Sequence, residues 1–166
     1  LKIIAVWEGG MSFHGGFVGI ILAAYLFCRR KKIEFMVLAD ILAAPLMLAL
    51  ALGRVANFIN GELWGKPSNI SWCVVFPAAD NVCRHPYQLY EGVKRFVLAG
   101  WLFYLGRTMR PTGYIFWNLV FFEGLGRFAL DFFLEEFTIL LTAGQWMSLA
   151  MVVVSGYYLW KIRSKM

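Results

Sequence analysis

Phe35-Met36-Val37-Leu38-Ala39-Asp40-Ile41-Leu42-Ala43-Ala44-Pro45-Leu46-Met47-Leu48-Ala49-Leu50-Ala51-Leu52 runs straight into Gly53-Arg54-Val55-Ala56-Asn57-Phe58-Ile59-Asn60-Gly61-Glu62-Leu63-Trp64-Gly65. The first part is apolar apart from Asp40 and long enough to cross most of a bilayer. The second places an arginine, two asparagines, a glutamate and three glycines in thirteen residues. If residues 53–62 continue the helix, Arg54, Asn57 and Gly61 share one face, with Glu62 beside it. That face would carry a fixed cation, an amide and a carboxylate. The same residues also read as an ordinary helix C-terminus followed by a polar loop, and the stretch alone does not choose between the two.

Composition settles the surroundings. Of 166 residues, 60% are hydrophobic and only 16% charged, and the mean hydropathy is +0.64. Soluble domains carry about a quarter charged residues, so this is a membrane composition. The net charge of +6 is confined to short basic clusters beside apolar runs, which mark a cytoplasmic face and not a nucleic-acid-binding module. The chain begins at Leu1 with no cleavable signal pattern, and the expectation is a piece lacking the N-terminal part of a longer protein.

Five apolar segments follow, at 13–28, 35–56, 92–106, 113–134 and 143–160, forming one helical transmembrane domain over residues 1–166. Arg29-Arg30-Lys31-Lys32, then Arg107 and Arg110, then Lys161, Arg163 and Lys165 fall at every second boundary. Five crossings with all three clusters cytoplasmic require that parity. The 57–91 and 135–142 loops then face outward, with Lys66, Arg84, Lys94 and Arg95 weakening the asymmetry without reversing it. In the outer loop, Ser71–Phe76 reads as a short strand. Cys73 and Cys83 lie on the oxidising side, where a disulfide is open to them, whereas Cys28 reads as a free structural thiol. Cys73, Cys83, His85 and His14 lack metal-ligand spacing, so no metal is expected.

Charged groups in hydrocarbon cost a few kcal/mol each, so those that occur usually serve a site or pair internally. His14, Arg54, Glu123, Arg127 and Asp131 fall toward the outer half of the membrane in this topology, while Asp40 reads as interfacial. Glu123, Arg127 and Asp131 are spaced i, i+4, i+8 on one helix face, as a packing triad or as a site. Glu91 reads either as a helix cap or as a site group. Two arginines facing outward at headgroup depth suit an anionic phospholipid phosphate, and a histidine supplies a proton acceptor. An ion path would need polar residues through the full thickness, and the inner half holds little beyond Asp40.

Four ordered blocks resemble the bacterial prolipoprotein diacylglyceryl transferases. They are Met11-Ser12-Phe13-His14-Gly15-Gly16-Phe17-Val18-Gly19, the Gly53–Gly65 stretch, His85-Pro86-Tyr87-Gln88-Leu89-Tyr90-Glu91, and Gly126-Arg127-Phe128 with Asp131-Phe132-Phe133. The resemblance implies a seven-span plasma-membrane enzyme of which this chain holds the last five spans, with its active site toward the outer leaflet and its C-terminus cytoplasmic. It implies transfer of the diacylglyceryl group of phosphatidylglycerol to the lipobox cysteine thiol of a preprolipoprotein, releasing glycerol phosphate without a cofactor. By the same carry-over, Arg54 and Arg127 would bind the phosphate and His14 would assist thiol deprotonation. Asn57, Glu62 and Gly65 would shape the headgroup pocket and Asp131 would orient Arg127. Asn60, Gly61, Glu91 and Glu123 complete the candidate substrate-binding set. Asp131 stands where glutamate is more usual in the family, and Leu134 where many members carry a basic residue.

Overall fold

The computed structural model describes residues 13–77, 79–134 and 141–164, with the backbone alone for residues 13–15 and 17. Among the described residues the fold is all-helical apart from one small hairpin. Helices α1 (Phe13–Lys31), α2 (Phe35–Asn60), α3 (Tyr87–Leu105), α4 (Tyr114–Leu130) and α5 (Ala143–Arg163) follow in order, with strands β1 (Val74–Val75) and β2 (Cys83–Arg84) between α2 and α3. Among the described residues, only α2 is both long and apolar enough to cross a membrane by length and composition. Every 18-residue window of α3 holds Glu91, Lys94 and Arg95, and α4 has only 17 residues.

Each helix end has a local cause. α2 stops at Asn60 because Gly61 takes the left-handed conformation (φ 69°). Gly61 N–H then donates to the Phe58 carbonyl and Glu62 N–H to that of Asn57, closing the last turn. The helix therefore ends two residues short of the continuation through 62, and Gly61 and Glu62 leave the face that carries Arg54 and Asn57. α4 starts at Gly113 (φ 85°), whose N–H donates to Asp40 Oδ2 at 2.6 Å, while the Phe116 N–H donates to Oδ1 at 2.7 Å. Asp40 is thus the cap of a helix 73 residues away in sequence, not an interfacial bystander. α5 opens with a capping box: Thr142 Oγ1 accepts from the Gln145 N–H, and Gln145 Oε1 from the Thr142 N–H. α3 begins at Tyr87, five residues ahead of the apolar run read from sequence.

The Asp40 contact puts the N-termini of α2 and α4 together, so these two helices run parallel and α3 and α5 run against them. The basic residues in the last turns of α1 and α5, and Arg107 and Arg110 just past α3, then share one end of the bundle with Asp40. Arg54, Tyr87, Arg127, Asp131 and Thr142 share the other.

Burial is inverted relative to a soluble bundle. Gln88 and Glu91 are fully buried, and Arg95, Asn118, Glu123, Asp131, Gln145, Ser148 and Ser155 nearly so, whereas Ile20, Ile41, Val97 and Val153 are more than 60% exposed. Apolar groups outside and polar groups inside suit a hydrocarbon solvent. The packing seams use small residues: Ala43, Ala44 and Ala99 lie between α2 and α3 with Met47, Leu98 and Leu102. At Gly124 a Cβ would sit 3.0 Å from the Ser148 carbonyl, so a glycine is what lets α4 and α5 approach.

Candidate functional site

The outer loop is tied down before it reaches the helices. β1 and β2 pair antiparallel with Val74 opposite Arg84, and the Cys73–Cys83 disulfide closes the hairpin. The short strand is confirmed but holds only Val74 and Val75, and the pairing left open by the sequence is made. Cys28 is buried and free. From the hairpin, Arg84 donates through Nη1 to the Gly65 carbonyl and pairs with Asp80 at 2.6 Å. Arg84 donation holds the exposed Asp80 carboxyl below its usual range. Gly65 is wedged: a Cβ there would lie 2.7 Å from the Phe133 carbonyl and 2.9 Å from His85 Cβ. The Gly65 N–H donates to the His85 carbonyl and the Lys66 N–H to that of Phe133, so the motif loop is laced to the end of α4.

His85 is buried among Tyr90 and Phe133, with its Nδ1 3.1 Å from Tyr90 Oη, which also accepts from Trp72 Nε1 at 2.8 Å. Burial, and then the Lys66 charge, push its pKa down, so it is neutral at pH 7. It braces the loop.

Three helix ends meet at Asp131, in a 3-10 turn (Asp131–Phe133) that finishes α4. Tyr87 Oη, from the first turn of α3, donates to Asp131 Oδ1 at 3.0 Å. A Cβ on Gly144, at the start of α5, would be 2.9 Å from Asp131 Oδ2, so only glycine fits there beside the carboxylate. Arg127 Nε lies 3.9 Å from Asp131 Oδ2, with its side chain 40% exposed: oriented by the carboxylate but barely paired. Gln88, next to Tyr87, is fully buried and donates to the Glu62 carbonyl, while its Oε1 has no partner among the described residues.

Arg54 is half-buried on the last turns of α2, packed against Gly92 of α3, where a Cβ would lie 3.6 Å from Arg54 Cβ. The charges of Arg95, Glu91 and Arg127 all act on it. Yet among the described residues it makes no hydrogen bond and no ion pair. An unpaired guanidinium in a partly buried position is costly to keep, and such a group is ready for an anion.

The nearby carboxylates are occupied elsewhere. Glu91 Oε1 accepts from Lys94 Nζ (2.9 Å) and Glu123 Oε1 from Arg95 Nη2 (2.7 Å), while Glu91 Oε2 (2.7 Å from the same Arg95 nitrogen) and Glu123 Oε2 (3.1 Å from Lys94 Nζ) are ion-paired without an aligned hydrogen bond among the described residues. Glu123 therefore pairs across to α3 and not along its own helix with Arg127. Lys94 and Arg95, read above only as charges that weaken the asymmetry, sit inside the bundle. Their spacing of i+3 and i+4 from Glu91 is the signal that finds them.

The structure thus brings Arg54, Glu91, Glu123, Arg127 and Asp131 to one end of the bundle. Asn57 is half-buried on the Arg54 face, Asn60 and Glu62 are exposed at the helix end, and Gly61 and Gly65 act through the backbone. His14 lies in the first turn of α1, with its side chain outside the described residues. Among the described residues, no group of three or more His, Cys, Asp or Glu could hold a metal.

Known proteins share this pattern. The family model for prolipoprotein diacylglyceryl transferase matches residues 1–161. A phosphatidylglycerol–prolipoprotein diacylglyceryl transferase of Geobacter sulfurreducens is 52% identical over 136 residues, covering 81% of this chain and 52% of the relative. The proteins of that name from Cupriavidus metallidurans (43% identical; 94% of this chain, 61% of the relative) and Bordetella parapertussis (41%; 98% and 66%) are similar throughout. The chain spans roughly half to two thirds of the length of these curated relatives. Both the extent of the family match and the identity to its members lead to one statement: the chain belongs to the prolipoprotein diacylglyceryl transferase family.

Proposed function

We propose that this chain carries the phosphate-binding part of an enzyme that moves the diacylglyceryl group of phosphatidylglycerol onto the lipobox cysteine of a preprolipoprotein. The observation that carries the reading is Arg54: a half-buried guanidinium without a hydrogen-bond or ion-pair partner among the described residues, beside an Arg127 whose one ion pair among them is 3.9 Å long. Among the described helix-borne charges at this end, four cations (Arg54, Lys94, Arg95, Arg127) face three carboxylates (Glu91, Glu123, Asp131). One surplus positive charge matches the single negative charge of a phosphodiester. The names of the relatives supply the donor and the acceptor.

In the proposed reaction the cysteine thiol loses its proton to a base, a role the family motif gives to His14. The thiolate sulfur attacks the diacylglyceryl carbon esterified to phosphate. The new C–S bond forms as the C–O bond breaks, and the electron pair leaves on glycerol phosphate. Arg54 and Arg127 stabilise the charge that grows on the departing oxygen. Asn57 and Glu62 border the headgroup, Asp131 aims Arg127 with help from Tyr87, and no metal or organic cofactor enters the chemistry. Asn60 and Gly61 shape the same wall.

The five helices are proposed to cross a bacterial plasma membrane as one domain. The basic ends of α1, α3 and α5 are then cytoplasmic, with the Arg54–Arg127 end and the hairpin at the outer leaflet. The test is transfer by the full-length protein from labelled phosphatidylglycerol to a lipobox peptide. Label on the peptide thiol supports the reading; a folded protein that leaves the thiol unmodified contradicts it, and sodium or proton flux in liposomes would favour a transporter.

A further inference from the structure

We infer that Lys94 and Arg95 are positioning residues for anion capture: by occupying the Glu91 and Glu123 carboxylates, they keep Arg54 free for the lipid phosphate. The inference rests on the phosphatidylglycerol reading above and assigns a task to residues outside the family motifs quoted earlier. Arg54 and Glu91 are neighbours across the α2–α3 seam, brought together by Gly92. A guanidinium beside a free carboxylate closes into a bidentate pair, and a paired Arg54 could not receive a phosphate. That closure is opposed by two cations already on Glu91: Oε1 accepts a hydrogen bond from Lys94, and Oε2 lies 2.7 Å from Arg95 Nη2 as an ion pair, without an aligned hydrogen bond among the described residues. Glu123 completes the ring by binding both cations from α4.

The ring is electrically neutral and almost closed to solvent, with Glu91 side-chain exposure at 0% and that of Arg95 at 6%. As a stability device such a ring is poor, since buried ion pairs gain little over apolar packing. As a means of sequestering two carboxylates it is effective. Gly126 belongs to the same arrangement: a Cβ there would collide with the Lys94 stem, so the bare backbone of α4 makes the channel in which Lys94 lies. Arg54 is left as the odd charge out.

The test uses the full-length protein and steady-state kinetics in phosphatidylglycerol. In Lys94→Met one Glu91 oxygen is released toward Arg54, and KM for the lipid is expected to rise about tenfold or more with kcat changed less than about threefold. Lys94→Met/Glu91→Gln removes the freed carboxylate, and its KM should lie at least about threefold below that of Lys94→Met, while Lys94→Arg, which keeps the cation, should stay within about threefold of the parent. An unchanged KM in Lys94→Met, or a double variant no better than the single one, overturns the inference. Where Lys94→Met fails to fold by thermal melting, Lys94→Gln decides: its KM should rise about tenfold, and a KM within about threefold of the parent overturns the inference. If the parent protein transfers no lipid, the functional reading fails instead. Retention of phosphatidylglycerol by the same variants in native mass spectrometry then tests the ring separately, with loss in Lys94→Met and recovery in the double variant as the expected pattern and equal retention as the contrary one.

Discussion

Replacing Arg54 by Met should separate stability from activity. In an ordinary folded protein, truncating a half-buried charged residue breaks an ion pair and leaves its partner stranded, at about 3–5 kcal/mol. Arg54 has no partner to strand among the described residues, and the charges acting on it include those of Arg95 and Arg127, both of its own sign. Met keeps the apolar stem packed against Gly92 and discards only the unpaired head. The expected change in unfolding free energy is therefore less than about 1 kcal/mol, and its direction is toward greater stability. The effect on transfer is opposite and larger. Loss of one preorganised donor to a developing oxyanion costs about 10²–10³ in kcat, some 3–4 kcal/mol at the transition state. The assay pairs a thermal melt in detergent with transfer kinetics on the same preparation. A variant destabilised by more than about 2 kcal/mol would show that Arg54 has a structural partner, and one that transfers normally would remove it from the site.

Asp40→Ala removes the acceptor of two helix N-terminal N–H groups at 2.6 and 2.7 Å, and should cost about 2–4 kcal/mol of stability, read as a lowered melting temperature that Asp40→Asn partly restores. Opening the Cys73–Cys83 staple, by reductant or by a double Ser variant, should cost the hairpin about 3 kcal/mol, measured as faster amide exchange between β1 and β2 with α2 unaffected. His85 gives a pH signature. Its folded pKa lies below the ordinary 6.5, so above 6.5 both states are neutral, and as pH falls below 6.5 the unfolded state takes up the proton first. Stability should fall with decreasing pH from 6.5 down to the folded pKa, and His85→Asn should flatten that part of the melting profile.

The sequence carried the four motif blocks, the apolar runs and the parity of the basic clusters, and so the helices and the end of the bundle that gathers the candidate site residues. Three features escaped it for separate physical reasons. Asp40 looked interfacial because its partners, the N–H groups of Gly113 and Phe116, lie more than 70 residues away, and no local pattern reports a distant helix start. Lys94 and Arg95 were read only as charges at the outer end of the 92–106 segment, because the helix opens five residues earlier at Tyr87 and buried polar residues hide the turns that carry Glu91. Glu123, Arg127 and Asp131 do share a spacing, but spacing along one helix does not show competition from the next. Arg95 and Lys94 take Glu123, and Arg127 is left to Asp131. The segment read as 35–56 runs on as helix to Asn60, and the conditional continuation through 62 fails because Gly61, which could either continue a helix or close it, closes it with a positive φ.

The account turns on two arginines at one end of the bundle holding one phosphate, and lipid retention measures that without requiring turnover. The full-length protein, extracted with a mixture of phosphatidylglycerol and a zwitterionic phospholipid, would be weighed intact by native mass spectrometry. The account predicts selective retention of phosphatidylglycerol by the parent protein and loss of that preference in Arg54→Met/Arg127→Met. Equal retention of the two lipids by the parent, or an undiminished preference in the double variant, would contradict it.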